Sequence, residues 1–312
     1  MDVDTNRRPI YEMSVNVRVA WQAHALSNAG NNGSNRMLPR RQLLADGATT
    51  DACSGNIAKY HHAALLAEYI AETGGALCPA CAAHDARRAG ALPEREGYRD
   101  LSMGRILREC WLCDAHGFLV VGRNGASDGA EARQRLSKHS LIEFSYALAL
   151  PDRHAESAQL MTRSSVSKEG GQMLMTMPVR SGEYALVVRY RAVGVGVDTD
   201  TWRIVEGDPG ERGRRHRAIL SALRDCILSP SGAQTATTLP HLTGLTGAIV
   251  VRGTVGRAAI YSPLVDGFVD QLTALGGAMG VAHPFGTVAE FNGVMQGLID
   301  TSDPCLPAAG RS

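Results

Sequence analysis

Lysine is almost missing from this chain. Of 32 basic residues only Lys59, Lys138 and Lys168 are lysine, and the other 29 are arginine. Asp and Glu number 31, so the formal charge is +1 and no global basic field announces nucleic acid. The arginine preference is either a compositional bias of an alanine- and glycine-rich sequence or a choice of planar donor forks suited to phosphate. No run approaches the ~18 apolar residues of a membrane helix. Met1 to Met13 is polar and charged, with no apolar core of a signal peptide. The expectation is a cytoplasmic protein with no membrane partner. GxxxxGKS/T and HExxH are absent, so no ATPase or zinc protease is indicated. No helix-turn-helix appears, and no spacing pairs two cysteines with two histidines.

Four of the seven cysteines are organised. Cys78-Pro-Ala-Cys81 and Cys110-Trp-Leu-Cys113 are separated by 28 residues. Two such pairs supply the four thiolates of a tetrahedral structural zinc. His84 is a substitute ligand should one cysteine lie out of reach. A closed four-cysteine site has no open position for substrate, so the motif implies a metal and not an activity. Neither pair sits in a Trp-Cys-Gly-Pro-Cys context, which disfavours a redox role. Cys53, Cys226 and Cys305 follow no pattern.

Residues 1–12 read as a loose arm and 300–312 as a frayed tail, bounding a single domain over 13–299. Met13, Val15, Val17, Val19 and Trp21 alternate with Asn16, Arg18 and Ala20, a half-buried strand. Ser54 is the N-cap of a helix from Gly55 to about Thr73. The cysteine pairs fall in an insertion over 75–115, and 123–138 reads as a charged loop. A strand over 141–150, stopped by Pro151, precedes a protruding hairpin over 155–180. A strand (183–192), a helix (211–229) and a strand (248–255) follow, then a short helix (263–275) and a last strand (278–284). With the insertions removed the order is β-α-β-β-α-β. That is an α+β, ferredoxin-like arrangement shared with RNA-recognition domains, although order alone does not give function.

In sequence, Ala23-His-Ala-Leu-Ser-Asn-Ala-Gly30 leads to Arg40-Arg41, and Ala52-Cys-Ser-Gly-Asn-Ile-Ala-Lys-Tyr-His-His62 opens the helix. Leu77-Cys-Pro-Ala-Cys81, Asp114-Ala-His-Gly-Phe-Leu119, Lys138-His-Ser-Leu-Ile-Glu-Phe-Ser-Tyr-Ala-Leu148 and Ser181-Gly-Glu-Tyr-Ala185 follow. In this order and spacing, over about 13–270, they resemble the backbone subunit of type I CRISPR surveillance complexes (Cascade), in the DevR-type autoregulator branch. The resemblance implies a hand-shaped, non-catalytic scaffold: a ferredoxin-like palm, a thumb hairpin and a zinc-bearing finger insertion. Its partners would be CRISPR RNA, copies of itself in a helical filament, other Cascade subunits, and target DNA reached through the guide.

The resemblance places guide contacts on Asn35, Arg36, Arg40 and Arg41 after the first strand. It also places them on Ser54, Gly55, Asn56, Lys59 and His62 at the first helix. Elementary chemistry agrees, since a helix start offers free N–H groups to phosphate and phosphate contacts position without reading sequence. Lys59 and His62 are expected on one side of the helix. In the thumb, Met161, Arg163 and Lys168 are the candidate contacts. Met161, Met173, Met175 and Met177 either wedge against a ligand or pack the hairpin's own face. Arg212, Arg214, Arg215, His216 and Arg217 either meet an anion or pair with Asp208 and Glu211.

Two other readings belong to different classes. An RNA-cleaving, type III-like subunit would place an aspartate in the loop after the first strand, yet Ser14 to Ala45 contains no acid. A zinc-containing nucleic-acid-binding autoregulator would need a duplex-reading element, and none is visible.

Overall fold

A computed structural model describes residues 7–32, 36–94, 101–121, 135–164, 172–205, 207–208 and 210–307. The first elements are β1 (Arg8–Ile10), β2 (Glu12–His24), β3 (Asn28–Asn32), β4 (Arg36–Pro39), β5 (Arg41–Leu43), β6 (Thr49–Cys53) and α1 (Gly55–Glu72). The insertion holds α2 (Pro79–Ala82), α3 (Met103–Glu109) and α4 (Trp111–His116), followed by β7 (Phe118–Val121) and β8 (Arg135–Lys138). Then come β9 (Ile142–Phe144), β10 (Ala147–Ser164), β11 (Gln172–Tyr190), α5 (Glu211–Leu228) and β12 (His241–Arg252). The chain closes with α6 (Phe268–Ala274), β13 (Val281–Phe285), α7 (Val288–Thr301) and β14 (Ser302–Pro304).

The protein is α+β. Its main sheet runs β13-β12-β2-β11-β10-β6-β5, with β9 also on β11. The pairs β12–β2, β2–β11, β11–β10 and β11–β9 are all antiparallel. The alternation of β2 carries through: Met13, Val15, Val17, Val19 and Trp21 share one core with Leu66 and Ile70 of α1 and Ile219 and Leu223 of α5. Each such side chain contributes roughly 1.5–3 kcal/mol by leaving water.

The polar face of β2 is covered as well, which corrects the half-buried reading. Glu12 Oε1 accepts from Ala258 N at 3.1 Å, and Ser14 Oγ donates to the Ala259 carbonyl. Asn16 Oδ1 accepts from Tyr261 N at 3.2 Å, and Arg18 Nε donates to Pro263 O at 2.6 Å. These bonds hold residues 258–263 across the sheet, above a small second core of Ala248, Val250, Phe268 and Leu272. Buried polar side chains are tolerated here because each has a backbone partner.

Residues 141–150 form two strands, not one. β9 ends at Phe144, and Ser145 Oγ accepts the Val187 N–H at 2.9 Å beside the break. Tyr146 turns outward instead of sharing the buried face of Ile142. Pro151 does not stop β10. The register shifts between Ala149 and His154, a bulge that removes the donor-less proline from the ladder. Opposite it stands Gly182, where a Cβ would lie 2.7 Å from His154 Cβ and 2.9 Å from Arg153 O. The hairpin and the following strand are therefore one structure, because β11 runs unbroken from Gln172 to Tyr190.

On this hairpin Met161 and Met37 pack on buried Met177 and Val179. Met175, opposite Met161 in register, is also buried. β4 covers this face through the Arg36–Thr176 bridge, so these methionines pack the hairpin's own base. Lys168 and Asn35 lie outside the described residues, as do the side chains of Arg163 and Met173.

Both ends of the chain depart from the sequence reading. Within the expected arm, β1 pairs in parallel with β14 of the expected tail, Ile10 is fully buried and Arg7 Nε lies 3.1 Å from Asp303. α7 is absent from the reading above. Thr287 caps it by accepting from Glu290 N at 3.1 Å, and Phe291, Met295, Leu298 and Ile299 form its buried stripe. In the expected loop 123–138, Arg135–Lys138 is strand β8, paired with β7, and residues 122–134 lie outside the description.

Candidate metal centre and nucleic-acid interface

Each Cys-x-x-Cys pair spans the first turn of a short helix. Cys78 precedes α2, with Pro79 at its first position, and Cys110 caps α4, its Sγ accepting from Cys113 N at 3.3 Å. Residues three apart on a helix share a face, so each pair presents both sulfurs together. All four cysteines are buried and their Sγ atoms lie within 4.8 Å of one another. Cys78 and Cys113 are 3.9 Å apart and Cys81 and Cys113 3.6 Å. Thiolates at about 2.3 Å from a tetrahedral metal stand ~3.8 Å apart, so the cluster fits one. His84 is not required, since four thiols complete the set. It is exposed instead on a groove beside the cluster.

The insertion packs into the main core. Leu92, Ile106, Leu107, Trp111 and Leu112 merge into the same core as β2 and α1. Its anchor is Asp114, which is fully enclosed. Asp114 Oδ1 pairs with the Lys138 ammonium, and Oδ2 accepts from Arg215 Nη1 at 2.9 Å and from Gly196 N at 2.8 Å. Burial pushes the Asp114 carboxyl up, but Lys138 and Arg215 outweigh it and hold it below the ordinary range.

That cluster also decides the basic run of α5. Arg212 donates to Val195 O at 2.7 Å and Cys305 O at 3.0 Å, and Arg214 pairs with Asp208 at 2.6 Å. Arg215 bonds Asp114 and Glu211, His216 is buried between Tyr190 and Ser302, and Arg217 faces Asp303 at 3.6 Å. Among the described residues every member of the run has a partner within the protein.

Ser27 ties the loop after β2 to the start of α1. Its Oγ accepts from Arg40 Nε at 3.1 Å and from Ser54 N at 3.4 Å, and its carbonyl accepts from Arg180. Arg40 also donates to Asn28 O at 3.0 Å, so its guanidinium shapes this loop. Ser54 caps α1 by accepting from Asn56 N at 3.3 Å. Gly55 is required by packing: a Cβ there would lie 2.5 Å from Phe144 O and 2.7 Å from Ser145 O. Arg41 pairs with Glu156 at 3.0 Å on the surface, and Arg36 is exposed.

Asn56 and Lys59 line a groove of about 290 Å³ between α1 and residues 81–88. Lys59 is half-buried, and burial, then Arg88, lowers its pKa. His62, expected beside it, points the other way and is fully buried. Its Nε2–H donates to Ile219 O at 3.2 Å, leaving Nδ1 to accept from His116 Nε2 at 2.8 Å. Burial lowers its pKa to about 4. A three-residue step along a helix turns about 60° off the starting face, enough here to carry His62 inward.

A second buried network has no counterpart in the sequence reading. Arg180 Nη1 donates to Asp51 Oδ1 at 2.9 Å, and Tyr184 Oη donates to Asp51 Oδ2 at 2.7 Å. His24 Nε2 stands 2.8 Å from Tyr184 Oη. Since the phenol proton goes to Asp51, His24 is the donor in that contact. Burial, then Arg180, lowers the His24 pKa to about 3. The network fixes the base of the hairpin to β2 and β6. Its members lie in three separate segments, and only spatial pairing unites them.

A family model described as "CRISPR-associated negative auto-regulator DevR/Csa2" matches residues 15–272. The chain belongs to this family of CRISPR-associated proteins. No curated protein matches it. Among solved structures, a chain of a "CRISPR RNA-guided surveillance complex, pre-nicking" is similar at 12% identity, covering 92% of this chain and 99% of that one, with a TM-score of 0.43. A chain of a "CRISPR RNA-guided surveillance complex" is similar at 12% identity, covering 91% and 99%, with a TM-score of 0.41.

Proposed function

We propose that this chain is a non-catalytic backbone subunit of a type I surveillance (Cascade) complex. Copies of it assemble as a filament along CRISPR RNA and present the guide for pairing with target DNA. Membership of the DevR/Csa2 family carries this reading. Three features support it. The strand order β12-β2-β11-β9, antiparallel throughout and packed with α1 and α5 in one core, supports the reading of a ferredoxin-like palm. The β10–β11 hairpin extends from the palm as a thumb. The groove beside the start of α1 offers Asn56 and Lys59 to a sequence-independent phosphate. A four-thiolate set suits zinc in a structural role. Ser14 to Ala45 supplies no carboxylate for cleavage. Among the described residues no helix is long and apolar enough to cross a membrane.

The test is to tag the protein in its own host, purify it gently and sequence the RNA that accompanies it. The expected result is short RNA of uniform length, with constant ends around variable centres. No RNA, or random fragments, overturns the proposal.

A further inference from the structure

A cleft of about 660 Å³ opens where β1, β14 and the start of α5 meet, and it shares no lining residue with the groove on α1. Its volume lies in the range of small-molecule sites. One wall is apolar, built by Pro9, Ile204, Val205, Pro304 and Leu306, the last 51% exposed. Arg7, Arg108, Arg212 and Arg215 line the rest as cations, and Asp208, Glu211 and Asp303 as acids.

Each of those acids is already committed. Asp208 pairs with Arg214 at 2.6 Å, Glu211 with Arg215, and Asp303 with Arg7 at 3.1 Å and Arg217 at 3.6 Å. Two arginines of the cleft have no acid partner among the described residues. Arg108 is exposed and makes no ion pair or hydrogen bond among them. Arg212 is held by carbonyls alone, its Nε by Val195 O at 2.7 Å and its Nη2 by Val193 O at 3.4 Å and Cys305 O at 3.0 Å. Its Nη1 protons have no partner among the described residues. Gly196, with φ of +64°, makes room for the Arg212 stem, since a Cβ there would lie 3.1 Å from Arg212 Cγ. Arg212 feels Asp114 and Asp303, but each of those carboxylates is shared between two other cations. The guanidinium is therefore fixed in place, partly desolvated, and left with one pair of donors for an anion.

The surrounding charges select the anion. A phosphate dianion would be repelled by the three carboxylates at the rim, whereas a single carboxylate matches the charge that Arg212 leaves uncompensated. The apolar wall asks for a hydrocarbon body on that carboxylate. We infer that this cleft binds a monocarboxylate with an apolar body, its carboxylate on Arg212 Nη1 and Arg108 and its hydrocarbon against Val205, Pro304 and Leu306. The inference is independent of the RNA-binding reading above.

The experiment titrates octanoate into the purified full chain by calorimetry, with acetate and octyl phosphate as comparison ligands. The expected result is saturable octanoate binding at about one per chain, with acetate far weaker because it lacks the hydrocarbon. Arg212→Gln is expected to weaken octanoate binding about tenfold, as for loss of one charge-assisted contact. Arg108→Gln, at an exposed position, is expected to weaken it about threefold. Leu306→Ser is expected to weaken octanoate about threefold and to leave acetate unchanged. Should Arg212→Gln not fold, the Arg108 and Leu306 variants read the same cleft. A wild-type chain that binds no octanoate overturns the inference, and so does binding that all three variants leave unaltered. Octyl phosphate binding more tightly than octanoate overturns the carboxylate assignment. Octanoate binding that strengthens in Glu206→Gln would mean that the chain supplies its own carboxylate to these arginines, and it also overturns the inference.

Discussion

Asp114 and Lys138 lie 24 residues apart, one at the end of the cysteine-bearing insertion and the other on β8, and form an ion pair closed to solvent. Lys138 also donates to Gly194 O and Val197 O at 3.0 Å each, so all three of its protons are placed. With Arg215 the pair locks the insertion, β8, residues 194–197 and α5 together. Removing one partner of a buried pair is far costlier than the pair's net contribution, because the other charge stays behind. Asp114→Asn should therefore destabilise the protein by roughly 3–5 kcal/mol, seen as a lowered urea midpoint. The Asp114 pKa is depressed in the folded state. Its contribution is thus present above the unfolded value of about 3.9 and is lost as pH falls through the folded one. A variant as stable as wild type would refute this assignment.

Four buried histidines set the behaviour at milder acidity. Burial is the leading cause in each, lowering His24 and His216 to about 3, His62 to about 4 and His116 well below its ordinary value. Below about pH 6.5 the unfolded chain binds protons at these positions while the folded chain does not. Stability should fall as pH drops from about 6.5 toward 4, by up to ~1.4 kcal/mol per pH unit for each histidine. Urea midpoints measured across that window test this, and a flat profile contradicts it.

Gly55→Ala separates two opposing effects. Ala is favoured over Gly in a helix by about 1 kcal/mol. Against this, the new methyl would meet two backbone carbonyls, Phe144 O at 2.5 Å and Ser145 O at 2.7 Å, neither of which is the end of a flexible side chain. Overpacking of this kind costs roughly 1–3 kcal/mol, so net destabilisation is expected in thermal melts. Gly293, in α7, has nothing within 4 Å of its would-be Cβ. Gly293→Ala should be neutral or stabilising, and equal effects at the two sites would defeat the argument.

The cysteine cluster predicts about one metal ion per chain, zinc on the proposal above, by elemental analysis of the purified protein. Cys78→Ser combined with Cys110→Ser should lose it and loosen Trp111 and Leu112, which share the core beside the sulfurs. A metal-free wild-type protein, or a double variant that keeps its metal, would rule the site out.

The sequence alone determined what depends on short-range chemistry. The two Cys-x-x-Cys pairs, the Ser54 cap, the apolar stripe of α5 and the alternation of β2 were all readable, because helix and strand periods fix which residues share a face. α7 was readable too, from Thr287, Glu290 and the spacing of Phe291, Met295, Leu298 and Ile299. Only the tertiary structure decided where charges meet. It turned His62 inward to His116, enclosed the arginines of α5, and covered the polar face of β2 with residues 258–263. It also set Arg88 opposite Lys59, 29 positions away in the chain. A charge carries no periodicity. Whether it is solvated, paired or left facing a groove depends on which distant segment packs against it, and that is settled when the core closes.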